Sequence, residues 1–275
     1  MTGDYIASFD DFDMAECKNP LITIATVTYN AEAVIGRTIE SIRRQTSRDF
    51  EWLVIDGASS DGTMAAVCSS GIEPLRWVSE RDGGLYDAMN KAIDKAHGKY
   101  IVFLNAGDAF AAPDVLERIV KAAQDSPDVI YGQTRLVDAE QHELGSRHLT
   151  APRHLTMQSF ARGMVVCHQA FVPRLAIVGH YDLQYRLSAD YEWCLRCLKA
   201  SQGNAYLGDA PMVNYLVDGL SAKHRASSLG ERWHIMCRYY GFVPTLLRHI
   251  GFVPRFLAHS VRMALTKALV KREKN

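Results

Sequence analysis

The 275 residues, 48% hydrophobic and 23% charged, describe a globular protein of one large domain or one and a half. The net charge of zero conceals a split. From Lys223 onward there are 11 Lys and Arg against Glu231 and Glu273, so the tail carries +9 and the first 222 residues −9. A basic tail without a nucleic-acid motif argues against nucleic acid as the expected partner and favours an anionic membrane surface or a phosphate. No uncharged apolar stretch reaches 18 residues, which excludes a membrane-spanning helix, and the start of the chain lacks the pattern expected of a secretory signal.

In chain order, residues 1–19 read as an acidic, aperiodic arm with Asp10, Asp11, Asp13 and Glu16. From Pro20 a β-branched run, Leu21 to Tyr29, predicts a first buried strand that stops at Asn30. Val34, Ile35, Ile39 and Ile42 share one face of the helix that follows. Glu51 to Ile55 is the second strand and ends on Asp56-Gly57. Ser59 or Ser60 then caps a helix with Asp61 in its first turn. Leu75 to Ser79 is the third strand, broken by Glu80-Arg81-Asp82-Gly83-Gly84, where paired glycines allow backbone to approach a ligand. A helix over Leu85 to Ala96 leads to the fourth strand, Tyr100 to Leu104, which runs into Asn105-Ala106-Gly107-Asp108.

Alternating strands and helices at this spacing predict a parallel sheet with right-handed crossovers, and they align Asn30, Asp56, Asp82 and Asp108 along its carboxyl edge. Open α/β sheets bind ligands at that edge. An amide and a carboxylate there suit a hard divalent cation shared with substrate phosphates, although Asn, Gly and Asp also make ordinary turns. Neither G-x-G-x-x-G nor a P-loop lysine motif is present, which argues against dinucleotide and P-loop chemistry.

Further on, Asp128 to Gly132 predicts a strand and Arg135 to Leu144 a hairpin. His168 and Gln169 sit inside an apolar run, as a buried hydrogen-bonded pair would. Ser188 caps a helix that carries Asp190 in its first turn. That acid either complements the helix dipole or serves as a general base, with Glu192 a weaker rival. Cys194 and Cys197 in the same helix read as core packing, since no second pair completes a zinc set; the six scattered cysteines fit reduced thiols in a cytosolic protein. Lys223, His224 and Arg225 follow a glycine turn and form either a loop that closes over a diphosphate or a solvated linker. In the tail, Gly241-Phe242-Val243-Pro244 recurs as Gly251-Phe252-Val253-Pro254, among apolar residues interleaved with arginine and lysine. This reads as an amphipathic element for a membrane interface, or as a face that packs on the preceding domain or a second subunit.

Ile22 to Asn30, Val54 to Thr63, Ser79 to Lys91 and Phe103 to Asp108 together resemble the ordered motifs of family 2 glycosyltransferases with the GT-A fold, in particular bacterial exopolysaccharide enzymes of the colanic-acid type. The resemblance covers about Pro20 to Ser221. It implies an α/β GT-A domain over 20–222, with a nucleotide-sugar half at about 20–132 and an acceptor half at about 133–222. The basic amphipathic tail would occupy 223–275. It also implies an inverting enzyme using a UDP- or GDP-sugar and Mg2+ or Mn2+, with a lipid-linked oligosaccharide acceptor on the inner face of the membrane and a homo-oligomer left open. By that likeness Thr28, Tyr29, Asn30, Glu32, Asp56, Asp82, Gly83, Asn90, Asn105 and Ala106 bind the donor. Asp108 holds the metal, Asp190 is the base, and His168, Gln169, Lys223, His224 and Arg225 face the acceptor or diphosphate. The metal motif departs from the family's Asp-x-Asp: an amide replaces the first acid, and one extra residue separates the pair. A sugar-phosphate nucleotidyltransferase would want a Gly-rich basic signature where this chain has Asn30-Ala31-Glu32. A catalytically silent, membrane-bound nucleotide- or glycan-binding scaffold is the other alternative.

Overall fold

The computed structural model describes residues 19–138, 140–217 and 225–250. The chain divides into two compact units between Arg225 and Ala226. In the first unit, four parallel strands β1 (Ile22–Thr28), β2 (Phe50–Asp56), β3 (Leu75–Ser79) and β4 (Tyr100–Phe103) lie in the order β3-β2-β1-β4. Every residue of β1, β2 and β4 is buried, as strands covered on both faces require, which is why these segments read as unbroken apolar runs. The connecting helices are α1 (Glu32–Arg43), α2 (Thr63–Cys68) and α3 (Leu85–Lys95). Helix α1 buries Ile35, Thr38, Ile39 and Ile42. At the amino-terminal edge of this sheet the buried Glu51 accepts from Thr23 Oγ1 at 2.6 Å and pairs with Arg76 at 3.1 Å.

A second, mixed sheet follows: β5 (Ala109–Phe110), β6 (Val129–Val137), β7 (Glu143–Ser146), β8 (Phe171–Pro173) and β9 (Asn204–Leu216), in the order β5-β9-β6-β7 with β8 on β6. Helices α4 (Val115–Ala122) and α5 (Ala189–Ala200) complete the unit. The predicted hairpin is β6–β7, with Arg135 opposite Ser146. One expectation fell short, since β6 runs on past Gly132 to Val137, and β9, over Asn204–Leu216, was not anticipated. Both strands are only partly covered and their polar residues break the apolar pattern, so their outer portions lack a strand signature. Tyr100 bridges to Arg174, and Phe103 stacks with His168, so the two sheets share an aromatic core with Tyr181 and Trp193.

Within the second unit, α6 (Arg225–Tyr240) ends at Gly241, whose φ of +86° reverses the chain as a left-handed C-cap does. A helical segment continues over 242–250, and Trp233 packs edge-on against Phe242 and His249. Leu229, Val243, Leu247 and Ile250 are exposed. The second copy of the tetrapeptide and the acidic arm lie outside the described residues. No helix among those described is long and apolar enough to cross a membrane.

Candidate active site

The parallel sheet ends its strands at Thr28, Asp56, Ser79 and Phe103, and the loops beyond are stitched together by side chains. Asn30, at φ +45°, donates its N–H to Ser59 Oγ at 2.8 Å, and its Oδ1 accepts from the Ser60 N–H at 2.9 Å. Glu32 accepts from the Gly62 N–H at 2.9 Å, while its own N–H donates to Asp61 at 3.1 Å. Asp56 is completely buried and accepts from the Ser59 N–H at 2.9 Å, from Ser79 Oγ at 2.6 Å and from Ser59 Oγ.

Above this stitching lies an open cradle. Tyr29 is 66% exposed. A methyl group added at Gly57 would stand 2.7 Å from Asp82 Oδ2 and 3.3 Å from the Tyr29 ring, so glycine is what lets those two side chains approach each other over the end of β2. Asp82 Oδ1 accepts from the Gly84 N–H at 2.8 Å, and Asp87 accepts from the Gly83 N–H at 2.9 Å, which fixes the glycine pair ahead of α3. Two buried polar atoms at neighbouring strand ends, Thr28 Oγ1 and Asn105 Oδ1, have no partner. More than nine in ten buried polar groups are paired, so these two atoms keep hydrogen-bonding capacity at the ends of adjacent strands.

Asp108 lies beyond them and turns inward. Its Oδ2 accepts from Gln169 Nε2 at 2.9 Å and its Oδ1 from the Leu216 N–H at 3.1 Å. Burial pushes its carboxyl up to about 7, against the opposing pull of those two donors and of Arg37. The unsatisfied amide oxygen of Asn105 therefore suits an oxygen-seeking cation, whereas Asp108 has both oxygens engaged and would have to share one.

Asp190 opens α5. Its Oδ1 accepts from the Tyr191 N–H at 2.8 Å and from the Tyr86 hydroxyl at 3.3 Å, and Tyr86 lies two residues past Gly84. That contact brings the first turn of α5 against the first turn of α3, next to the glycine pair. Glu192 is different: it is buried and bound to Arg196 Nε at 2.8 and 3.1 Å, so its carboxylate is committed to an ion pair.

The chain matches glycosyl transferase family 2 over residues 23–176. It belongs to that family. An uncharacterised glycosyltransferase of Mycobacterium tuberculosis is 36% identical over 188 residues, covering 64% of this chain and 68% of that protein. A PGL/p-HBAD biosynthesis glycosyltransferase of Mycobacterium bovis is 32% identical over 186 residues, covering 65% and 70%. Among solved structures, S. aureus TarS 1-349 superposes with a TM-score of 0.65 at 15% identity over 84% of this chain and 72% of its own. A mannosyltransferase from Pyrobaculum calidifontis gives 0.59 at 16% over 96% and 84%. The fold is GT-A, as the motifs implied.

Seen as a family 2 glycosyltransferase, the chain divides the anticipated site residues into two groups. Thr28, Tyr29, Asp82, Gly83, Asn105 and Ala106 lie at the strand ends, with Ala106 extending the β1 ladder through its N–H to the Val27 carbonyl. Asn30, Glu32 and Asp56 serve the loops themselves. Asp56, fully buried, offers no surface to a ligand in this conformation. Three of the anticipated residues are buried and hydrogen-bonded within the protein. Asn90 spends its amide on the Tyr181 backbone, at 2.6 and 3.1 Å. His168 is 4% exposed, among Phe103, Trp193 and Tyr181, with Nε2 hydrogen-bonded to the Tyr181 hydroxyl. Gln169 is 6% exposed and tied to Asp108 and Cys167. Lys223 and His224 lie outside the described residues, and of Arg225 only the start of α6 is described.

Sequence reasoning missed Tyr86, although it stood inside the third motif. It also missed a group on the β6–β7 turn, where Asp138, Glu140 and His142 bring ligand-type atoms within 4.8 Å of one another. Asp138 accepts from the His142 N–H at 2.8 Å, so the turn's own geometry accounts for that grouping.

Proposed function

We propose that the protein is an inverting glycosyltransferase that moves a sugar from a UDP- or GDP-linked donor to a saccharide acceptor carried on a lipid, at the inner face of the membrane. The observation that carries this reading is the pair of unpartnered buried atoms, Thr28 Oγ1 and Asn105 Oδ1, beside the exposed Tyr29 ring. Support also comes from the similar proteins. TarS has been solved with UDP and with UDP-GlcNAc, and the Pyrobaculum enzyme with GDP-Man and Mn2+. The PGL/p-HBAD relative acts in biosynthesis, and the basic tail suits an anionic surface.

In this account Tyr29 offers its ring to the nucleotide base, Asp82 takes the nucleoside, and the Gly83-Gly84 backbone approaches the donor without side-chain obstruction. Asn105, with Asp108 behind it, would hold Mg2+ or Mn2+. A bound divalent cation would offset the charge gathering on the leaving diphosphate. Asp190 accepts the proton of the acceptor hydroxyl as that oxygen bonds to the anomeric carbon and the bond to the diphosphate breaks. Asp190 is held for this by the Tyr86 hydroxyl.

The buried, partly neutral Asp108 and the amide at 105 favour one alternative, a nucleotide-binding scaffold without turnover. Thermal stabilisation by a panel of UDP-, GDP-, dTDP- and CMP-linked sugars, with and without Mg2+ or Mn2+, tests the donor site, because a ligand bound only by the native state raises its melting temperature. The expected result is a rise with one nucleotide class, larger with metal. No rise with any of them would refute the donor reading, and a rise without sugar transfer to any acceptor would select the scaffold.

A further inference from the structure

In the second unit, the helical segment 242–250 turns its polar residues towards α6 and its apolar residues outward. Thr245 is completely buried, and its carbonyl accepts from His249 Nδ1 at 2.9 Å. The Arg248 guanidinium lies 5.5 Å from the centre of the Tyr240 ring, and His249 meets Trp233 at 4.8 Å between ring centres. Phe242, Val243, Leu246, Leu247 and Ile250 take the other side, each between 38% and 64% exposed. At 3.6 residues per turn these five form one continuous stripe about 140° wide. A surface helix of a domain surrounded by water buries such a stripe and exposes its charges; this one does the reverse. Five of the eleven large apolar side chains exposed among the described residues fall in these nine positions. Single exposed leucines are ordinary, whereas a contiguous apolar patch marks an interaction surface.

Charge selects what covers it. The second unit, residues 226–275, holds nine Lys and Arg against Glu231 and Glu273. A second copy would bring like charge to like charge around a shared face, which opposes association. An anionic lipid surface is complementary in both respects. Its acyl boundary takes an apolar stripe lying in the interface plane, and its head groups attract the cations around that stripe.

We propose that the face formed by Phe242, Val243, Leu246, Leu247 and Ile250 lies in the interface of an anionic bilayer, with the unit's arginines and lysines drawn to the lipid phosphates. The inference deepens the proposed function and rests on its placement at the inner face of the membrane, since it names the side chains that make the lipid contact.

The full chain is sedimented with vesicles of phosphatidylcholine alone and of phosphatidylcholine mixed with phosphatidylglycerol, without nucleotide or acceptor. Binding to the anionic vesicles is expected, and it should be weaker by about tenfold or more on the neutral ones. The double variant Val243→Gln, Leu247→Gln keeps good helix formers at two exposed positions, so it should melt with the parent. Its binding to the anionic vesicles should fall by about tenfold or more, because the apolar stripe is interrupted while every charge is kept. Absent binding would overturn the proposal. Binding that the double variant retains in full would overturn it as well, since the contact would then be electrostatic adsorption elsewhere on the chain. Light scattering without vesicles should give parent and variant the same mass. A parent dimer that the variant dissociates would assign the face to a second copy instead. Nucleotide binding, and sugar transfer to a water-soluble acceptor, do not use this face. Their failure would count against the proposed function, and loss of vesicle binding would leave them unchanged.

Discussion

His168 should make the stability of this protein strongly dependent on pH, and the size of the effect follows from its surroundings. The imidazole is enclosed by Phe103 at 5.1 Å, Trp193 at 5.5 Å and Tyr181 at 5.7 Å between ring centres. Burial lowers its pKa from 6.5 to about 4, against a smaller opposing pull from Asp190. A base whose folded pKa is depressed is neutral in the native state. Its contribution is therefore fully present above pH 6.5 and is lost as pH falls towards 4, where the unfolded chain gains a proton that the native one refuses. At about 1.4 kcal/mol per unit, that contribution amounts to about 3 kcal/mol, most of it gone by about pH 4.5. Asp108 works in the opposite sense: its pKa is raised from 3.8 to about 7, so the stability linked to it is present below 3.8 and is lost as pH rises to 7. A single acid titration of the parent would mix the two. Urea unfolding of the parent and of His168→Phe at pH 7.5 and 4.5 separates them, because Asp108 is common to both. Phenylalanine keeps the ring stack and forfeits the bond to Tyr181 at every pH alike. The parent should lose about 2–3 kcal/mol more than the variant between the two pH values. Parallel losses would show that His168 is not held neutral by burial, and the account of the aromatic core would be wrong.

Gln169→Leu should strip one donor from Asp108 and cost about 1–3 kcal/mol, read by urea unfolding at pH 7, because a buried acceptor loses its partner. An unchanged midpoint would mean that the carboxyl does not depend on that amide. Gly57→Val should force Asp82 aside, since its Cβ falls 2.7 Å from Oδ2, and weaken nucleotide affinity by about tenfold, or about 1.4 kcal/mol, in a binding titration. Equal affinity would remove Asp82 and Tyr29 from the donor site. Glu192→Ala should cost about 2 kcal/mol of stability, less than a fully buried pair because Arg196 is one-third exposed, while activity per folded molecule is kept. Lost activity in a folded variant would return Glu192 to contention as the base.

The parallel sheet was legible because strands buried on both faces must be continuously apolar, and each of the four stopped on a polar or glycine-rich turn at the same edge. The orientation of the polar groups was not legible. Asp56 and Asp108 both stand just past strands, yet Asp56 is taken up by Ser59 and Ser79, and Asp108 by Gln169 and the Leu216 N–H, a contact spanning 108 residues. Nothing in the local pattern of either acid announces such partners. His168 and Gln169 show the same limit: the apolar run around them correctly signalled burial, while the likeness to the family had suggested acceptor contact. Asp190 and Glu192 could not be separated from spacing alone, and the i,i+4 pair with Arg196 separates them.

The central claim is that Asp190 is the base of a sugar transfer whose donor is bound elsewhere in the site. Asp190→Asn keeps the shape of the side chain and removes its capacity to accept a proton, so its turnover and its nucleotide affinity should be measured on the same preparation. The account predicts that turnover falls by about 10²-fold or more, the scale of general base catalysis, while nucleotide affinity stays at the parent value. Full turnover in the variant would contradict it.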